Sequence, residues 1–151
     1  MSVYTKKGDG GKSSILDGKR LSKSASIFAA LGALDEVNSW LGVVGGYRQI
    51  QKDLMIISSI LAGAKLDFSE SKTKALEKEI DRLEAKWPKV KGFVIPSGRG
   101  ARLHFARALV RRAERAVVAV SGQLPATCYV LPYLNRLSDF FFIKACRASS
   151  N

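Results

Sequence analysis

The stretch Leu103–Val120, LHFARALVRRAERAVVAV, decides the fold of this chain. Its apolar residues recur at steps of three and four, which is the period of a helix that buries one stripe. Gly122 follows and is expected to end that helix. Arg107, Arg111 and Arg115 stand four residues apart, so they rise about 6 Å per step along one side. The sequence therefore predicts a helix with an apolar seam and a basic stripe beside it.

Four other segments show the same helical period, and glycine or proline punctuates them. Pro132 lies inside the last segment, which predicts a kink or a late start for that helix. Five helices with short connections indicate an all-α five-helix bundle in one domain, residues 1–151. Residues 1–23 are expected to form an N-terminal loop, with a short extended piece at Ile15-Leu16, and residues 24–151 the bundle. The four segments run from Ala30 to Val44, from Ile50 to Ala64, from Leu76 to Trp87 and from Leu134 to Ala145.

Composition limits the classes of partner and compartment. The formal net charge of +12 favours anionic partners such as nucleic acid, phosphorylated small molecules or an anionic membrane face. The N-terminus lacks the apolar core of a secretory signal, and no apolar run reaches the length of about 18 residues that suggests a membrane span. Cys128 and Cys146 are far apart, which argues against a zinc site or a disulfide framework. We therefore expect a cytoplasmic protein without a membrane segment.

The arginine stripe allows two interpretations. Guanidinium groups offer planar donors suited to phosphate oxygens, so an extended polyphosphate could bind along the stripe. Equally, the stripe could be a solvent-facing surface paired with acids of neighbouring helices. Short polar residues in mid-helix positions raise the same choice between recognition and plain surface, since they favour helix ends intrinsically. These residues are Asp35, Asn38 and Ser39 in the first helix, and Asn135 and Asp139 in the fifth.

The glycine-rich segment Gly8–Ser14 invites comparison with the phosphate-binding P-loop, but Lys6 occupies the position of that motif's first glycine. Its backbone amides, with lysines nearby, could still bind phosphates. For His104 the sequence offers no catalytic partner, so a structural role is the better interpretation. The run Phe140–Phe142 is interpreted as core.

Taken in order, seven segments of the chain resemble the PduO-type ATP:cob(I)alamin (corrinoid) adenosyltransferases. Each segment alone is weakly specific, but the ordered set covers almost the whole sequence. The segments are Tyr4–Gly11 with Ser13 and Ser14, Ser22-Lys23, Gly32–Ser39, Phe93–Pro96, Leu103–Arg107, Arg111–Arg115 and Tyr133–Asp139.

The resemblance implies a homotrimer of five-helix bundles that binds ATP between neighbouring subunits. It also implies that Asp35 pairs with Arg111, and that Phe93 displaces the lower axial ligand of the corrinoid; these three residues are the expected catalytic set. The N-terminal loop would hold the ATP phosphates with a magnesium ion, whose protein ligands are left open, and the fourth and fifth helices would contact the nucleotide. The implied ATP-binding residues are Thr5, Lys6, Lys7, Gly8, Ser13, Ser14, Lys23, Arg111, Arg112, Glu114, Arg115 and Asn135.

The activity that the resemblance implies is transfer of the 5′-deoxyadenosyl group of ATP to cob(I)alamin, which gives adenosylcobalamin and triphosphate. A reductase and a cobalamin-dependent acceptor enzyme are candidate partners. Two alternatives are a basic helical module that binds nucleic acid, and a relative that binds ATP or corrinoid without turnover. The resemblance assigns no role to Arg107.

Overall fold

A computed structural model of the chain describes residues 3–86, 92–122 and 128–149. In this part of the chain, five helices form a bundle that a small two-stranded hairpin precedes. The prediction of an all-α five-helix architecture is therefore confirmed, with the hairpin as an addition. The helices are α1 (Ser26–Val44), α2 (Arg48–Leu61), α3 (Glu70–Glu84), α4 (Ala101–Ser121) and α5 (Val130–Ser149), and the strands are β1 (Lys12–Ser14) and β2 (Arg20–Ser22).

The predicted helix ends differ from the observed ones in detail. Helix α1 stops before Gly45, as expected, and α2 ends at Leu61 rather than continuing to Ala64. Pro132 lies in the first turn of α5, where its missing amide hydrogen costs no helical hydrogen bond. The late start of α5 is thus confirmed. The predicted third helix ended at Trp87 and Pro88, which lie outside the described residues, as does Pro125.

Helix α4 occupies the middle of the bundle. It packs against both α1 and α5, whereas α2 packs on the outer side of α1 and α3 on that of α5. Its buried residues include Leu103, Ala106, Val110, Ala113 and Val117. These residues follow the predicted apolar seam, so the seam determines which elements α4 contacts.

A buried carboxylate joins the outer helices to α5. Asp53 of α2 is 5% exposed. It accepts hydrogen bonds from Tyr133 Oη at 3.0 Å and Gln49 Nε2 at 3.1 Å, and it pairs with Lys72 Nζ at 2.5 Å. Burial, followed by the Asp53 charge, raises the pKa of Tyr133, which keeps its phenol protonated as the donor. Three helices are thereby tied together around an open cleft of about 360 Å³.

The N-terminal hairpin corrects one detail of the prediction. Strands β1 and β2 pair antiparallel, with Ser13 opposite Leu21. The predicted extended piece, Ile15-Leu16, belongs instead to the connection between the strands. The Leu16 amide donates to the carbonyl oxygen of Ala62 at 2.8 Å, so this connection is fixed to the C-terminal end of α2 rather than to a strand.

Among the described helices, α1 is the one that is long and apolar enough to cross a membrane by length and composition. This finding differs from the expectation of no apolar run of that length, although Asp35 and Glu36 lie within the helix. The buried residues of α1, among them Leu34, Val37 and Leu41, belong to the core of the bundle. Core helices of bundles meet the same criterion, so length and composition do not assign α1 to a membrane.

The start of α4 approaches the end of α5 very closely at Gly100. This buried glycine ends the 3₁₀ turn Gly98–Gly100. A Cβ atom at this position would overlap the Ser149 hydroxyl and the carbonyl oxygen of Ala145. The absence of a side chain is therefore what lets α4 begin against α5.

We expect Gly100→Ala to lower the free energy of unfolding by about 1–3 kcal/mol, the usual cost of overpacking. Thermal and urea unfolding would measure it. The control is Gly32→Ala in α1, where a Cβ meets no heavy atom within 4 Å; it should be neutral or stabilise by up to about 1 kcal/mol. Equal effects of the two substitutions would contradict the packing argument.

Candidate functional site

The three arginines of the predicted stripe have different surroundings. The Arg107 guanidinium lies over the Phe142 ring, 5.3 Å from its centroid. Arg111 and Arg115 are exposed, and within residues 3–86, 92–122 and 128–149 no carboxylate pairs with either. The stripe thus presents two uncompensated cations one turn apart, an arrangement that suits a polyanion.

Arg112 points away from this pair of cations. It forms an ion pair with Glu36 of α1, and both side chains are about half exposed. The neighbour of Arg111 in sequence is therefore a link between α4 and α1. Its predicted contact with ATP would require this pair to open.

Asn135 and Glu114, two predicted ATP-binding residues, come together in the structure. Asn135 Nδ2 of α5 donates to Glu114 Oε1 of α4 at 3.1 Å. The contact lies one helical turn from Arg111 and beside Arg115 in sequence, so α4 and α5 contribute to one polar surface. This surface, formed by Arg111, Glu114, Arg115 and Asn135, is called the α4–α5 polar surface below.

Arg136 and Glu77 extend the α4–α5 polar surface to the third helix. Arg136 Nε donates to Glu77 Oε1 at 3.1 Å, and its Nη1 donates to Asp139 Oδ2 at 2.8 Å. The sequence analysis gave neither Arg136 nor Glu77 a role. Only the spacing of Arg136 and Asp139, three residues apart on a helix, signalled part of this network.

The polar residues in the middle of α1 differ in burial and in hydrogen bonding. Asp35 is exposed, and in the described part of the chain it makes no ion pair with Arg111. Asn38 is half-buried; its backbone carbonyl accepts from Gln51 Nε2 at 3.0 Å, whereas its side-chain oxygen is buried without a hydrogen bond. The predicted pairing of Asp35 with Arg111 is therefore not made within one chain.

The N-terminal loop brings Gly8 and Lys23 together. The Lys23 amide donates to the carbonyl oxygen of Gly11 at 2.8 Å, and its ammonium lies close enough to Gly8 to leave little room for a Cβ atom there. Lys6 adopts a positive φ of 59° and accepts a turn hydrogen bond from the Asp9 amide at 3.2 Å. The loop therefore places a cation beside a tight turn of backbone amides, which is a geometry suited to phosphate.

The other predicted loop residues lie close by. Thr5, Lys7 and Ser14 are exposed, and Ser13 is half-buried. The backbone carbonyl of Lys7 accepts from the Arg20 guanidinium. No hydrogen bond or ion pair of the described residues links this loop to the α4–α5 polar surface. Within the described residues, the cations of the loop and those of the α4–α5 polar surface therefore lie on two separate surfaces.

Phe93 lies in the loop that leads into α4. Its side chain is fully exposed, and that of Ile95 is 84% exposed. Ser97 at the end of this loop accepts a hydrogen bond from Ser149 Oγ at 3.4 Å, which ties the loop to the end of α5. Two apolar side chains are therefore presented to solvent from a fixed position.

Metal ligands are sparse. In the part of the chain that the structure describes, no three His, Cys, Asp or Glu side chains are grouped to hold a metal ion. The loop does offer hydroxyl groups at Thr5, Ser13 and Ser14. Such a donor set suits a magnesium ion that arrives with the phosphates of a nucleotide rather than one resident in the protein.

His104 is 6% exposed and stacks edge-on with Phe142, with ring centroids 6.1 Å apart. Its Nε2 has no hydrogen-bond partner among the residues that the structure describes. Burial, and secondarily the Arg107 guanidinium, lowers the pKa of His104 below its ordinary value. The imidazole is therefore kept neutral by its surroundings, which favours the structural interpretation over a catalytic one.

Comparison with known proteins gives a consistent result. Residues 3–148 match the cobalamin adenosyltransferase family. The chain is 35% identical to the corrinoid adenosyltransferase of Bos taurus, over 95% of this chain and 69% of that protein. It is 34% identical to the corrinoid adenosyltransferase of Bacillus subtilis, over 96% of this chain and 85% of that protein.

A solved structure matches as closely. It is a variant of the PduO-type ATP:corrinoid adenosyltransferase of Lactobacillus reuteri, complexed with cobalamin and ATP. The TM-score is 0.88 at 33% identity, and the match covers 95% of this chain and 89% of the other. The likeness therefore extends over the bundle and the N-terminal hairpin.

The environment of His104 predicts how stability depends on pH. Since the pKa is lower in the folded protein than the value of 6.5 for a free histidine, the unfolded chain binds more protons below that pH. The free energy of unfolding therefore contains the full contribution of neutral His104 above about pH 6.5. This contribution is lost as the pH falls through the folded-state pKa of His104.

Urea unfolding between pH 7.5 and 5 would measure this loss. His104→Gln should flatten the profile, because the chain contains one histidine. Parallel profiles for the two proteins would contradict the assignment.

Proposed function

The chain belongs to the cobalamin adenosyltransferase family, and we propose that it transfers the 5′-deoxyadenosyl group of ATP to cob(I)alamin. In this reaction the cobalt–carbon bond forms while the bond between C5′ and the triphosphate oxygen breaks. The electron pair of the broken bond leaves with triphosphate. The observation that carries the proposal is the exposed pair Arg111 and Arg115, which no carboxylate of the described residues compensates. The pair lies beside Glu114 and Asn135 in a chain that matches this family over residues 3–148.

The protein's task in such a reaction is electrostatic and geometric. Cob(I)alamin is itself the nucleophile, so no activated side chain and no general base is required. Negative charge accumulates on the leaving triphosphate, and Arg111 and Arg115 are fixed cations that stabilise it. The residues Asn135 and Glu114 orient the nucleotide so that C5′ faces the cobalt.

The N-terminal loop supplies the second phosphate contact in this proposal. Lys23 and the amides around Gly8 bind the phosphates, with Thr5, Lys6, Lys7, Ser13 and Ser14 around them. The hydroxyl groups of Thr5, Ser13 and Ser14 would lie near a magnesium ion bound with ATP, which would neutralise part of the phosphate charge.

A homotrimer with shared sites accounts for the separation of the two anion-binding surfaces. The loop of one subunit and the α4–α5 polar surface of the next would together enclose one ATP. Phe105 is 50% exposed and packs edge-on against Trp40, with ring centroids 4.8 Å apart, so the α1–α4 face offers apolar surface for a neighbour. Asp35 would then meet Arg111 across the subunit boundary.

Phe93 is proposed to act at the corrinoid. A fully exposed aromatic ring on an anchored loop suits insertion beneath the macrocycle, where it would displace the lower axial ligand. Removing that ligand makes cobalt(II) easier to reduce, so Phe93 acts through the coordination number of cobalt. We also propose two partners, a reductase that supplies the electron and a cobalamin-dependent enzyme that accepts the product. The proposed location is the cytoplasm.

The nucleic-acid alternative derives from the net charge of +12. It predicts binding that weakens steeply with salt and does not respond to ATP. A relative without turnover would bind ATP and corrinoid and release no product. The activity assay separates all three.

We expect the protein, given MgATP and chemically reduced cobalamin under anaerobic conditions, to form adenosylcobalamin and triphosphate in equal amounts. Arg111→Ala should lower kcat by about 10²–10³-fold, as for other residues that stabilise developing charge. Visible spectroscopy follows the cobalt–carbon bond. Arg82→Ala is the control, because Arg82 pairs with Glu79 on α3 away from the α4–α5 polar surface. Full turnover by Arg111→Ala would refute the assignment of this residue.

Shared sites predict complementation between defective chains. Lys23→Ala removes the loop contact and Arg111→Ala the helix contact, so each variant alone should be nearly inactive. In trimers formed from an equal mixture, about a quarter of the sites would combine an intact loop with an intact helix, as a head-to-tail interface allows. Steady-state turnover of the mixture would measure this recovery. No recovery in verified mixed trimers would show that each site lies within one chain.

A further inference from the structure

Arg136 is a cation held by three acceptors next to the α4–α5 polar surface. It contacts Glu77 of α3 and Asp139 of α5, and its Nη1 also donates to Asn135 Oδ1 at 3.5 Å. The last of these is the longest hydrogen bond of the set. A planar guanidinium can serve several acceptors in different directions at once, which a lysine ammonium on a flexible stem does less well.

The two ends of the Asn135 amide have opposite partners. Its Nδ2 donates to the Glu114 carboxylate, and its Oδ1 faces the Arg136 guanidinium. A reversed amide would place its oxygen against the carboxylate and its NH₂ group against the cation, so both contacts would become repulsive. The charges on either side therefore specify one of the two orientations.

We propose that Arg136 is a positioning residue that fixes the orientation of the Asn135 amide toward the nucleotide, and that Glu77 holds Arg136 in place. This inference rests on the proposed function, because Asn135 is a nucleotide residue only in that proposal. It gives the third helix a part in the site, although α3 contributes no residue to the α4–α5 polar surface itself.

A purely structural explanation makes a different prediction. The Glu77 and Arg136 side chains are 46% and 40% exposed, and ion pairs with this exposure add little to stability. If the pair only joined α3 to α5, its loss would change the melting temperature slightly and leave ATP binding intact. If Arg136 positions Asn135, its loss weakens ATP binding without a matching loss of stability.

A double-mutant cycle separates the two explanations. Arg136→Gln should lower kcat/KM for ATP about tenfold, as expected for one lost charge-assisted hydrogen bond, chiefly through KM. In the Asn135→Ala background the same substitution should have no further effect, because Arg136 acts through Asn135. Effects that multiply in the double variant, or an unchanged KM in Arg136→Gln, would overturn the proposal.

Two more variants test the anchor. Glu77→Gln should raise the KM for ATP in the same direction as Arg136→Gln, and an unchanged KM would remove Glu77 from the proposal. Arg82→Gln is the matched control on α3. Arg82 donates two hydrogen bonds to Glu79, of 2.7 and 2.6 Å, and the substitution breaks this ion pair without changing a contact of Asn135. It should leave both KM and kcat unchanged.

Calorimetric Kd values for ATP keep this test independent of the reaction. If the wild-type protein binds ATP but forms no adenosylcobalamin, the proposed reaction fails and the coupling between Asn135 and Arg136 is still measured. If the wild-type protein turns over but the cycle shows no coupling, only the role of Arg136 fails. Absence of ATP binding would overturn both.

Discussion

Helix α4 must bury its apolar seam against two neighbours at once, and the rest of the structure follows from this constraint. Its alanines and valines allow α1 and α5 to approach from both sides. Only the remaining side of the helix reaches solvent, and the exposed arginines are confined to it. The hydrophobic pattern of α4 therefore determines on which side of the helix Arg111 and Arg115 lie. The site is a consequence of how the core is packed.

The outer helices depend on a different kind of interaction. Asp53 is buried between α2, α3 and α5, and its hydrogen bonds to Tyr133 and Gln49 and its ion pair with Lys72 satisfy a charge that would otherwise be costly to bury. Removing one partner of such a pair typically costs about 3–5 kcal/mol. Tyr133 stands two residues before Asn135, so this buried network also anchors the first turn of the helix that carries Asn135. Helix α5 thus contributes both to the buried network around Asp53 and to the α4–α5 polar surface.

The helices could be predicted from the sequence because each has a strong local period. The stop before Gly45 and the position of Pro132 in the first turn of α5 follow from the backbone properties of single residues. The hairpin strands could not be placed so well, since the Leu16 amide bonds to Ala62, a partner distant in sequence that no local pattern reveals. Long-range contacts override short-range preferences at such points.

Some residues of the candidate site can likewise be predicted from local patterns, and others depend on long-range contacts. The four-residue spacing on one helix predicts Arg111 and Arg115, the mid-helix position of a short polar side chain points to Asn135, and the resemblance to a family adds Glu114. Arg136 was passed over, because its importance depends on Glu77, whose distance along the chain hides the contact. Asp53 escapes prediction for a related reason, since an acid in an amphipathic helix gives no sign of being buried with partners from two other helices.

The four-residue spacing of Arg107, Arg111 and Arg115 has an energetic consequence for the free protein. Like charges at this spacing repel and destabilise a helix by about 0.2–0.5 kcal/mol per pair. The π-face of Phe142 partly offsets this at Arg107, but Arg111 and Arg115 have no such relief in the described chain. Helix α4 is thus less stable than its apolar seam alone would make it. Replacing these arginines with uncharged helix formers should raise the free energy of unfolding. Under the proposed function it should also weaken ATP binding, so stability and activity make opposite demands on these positions.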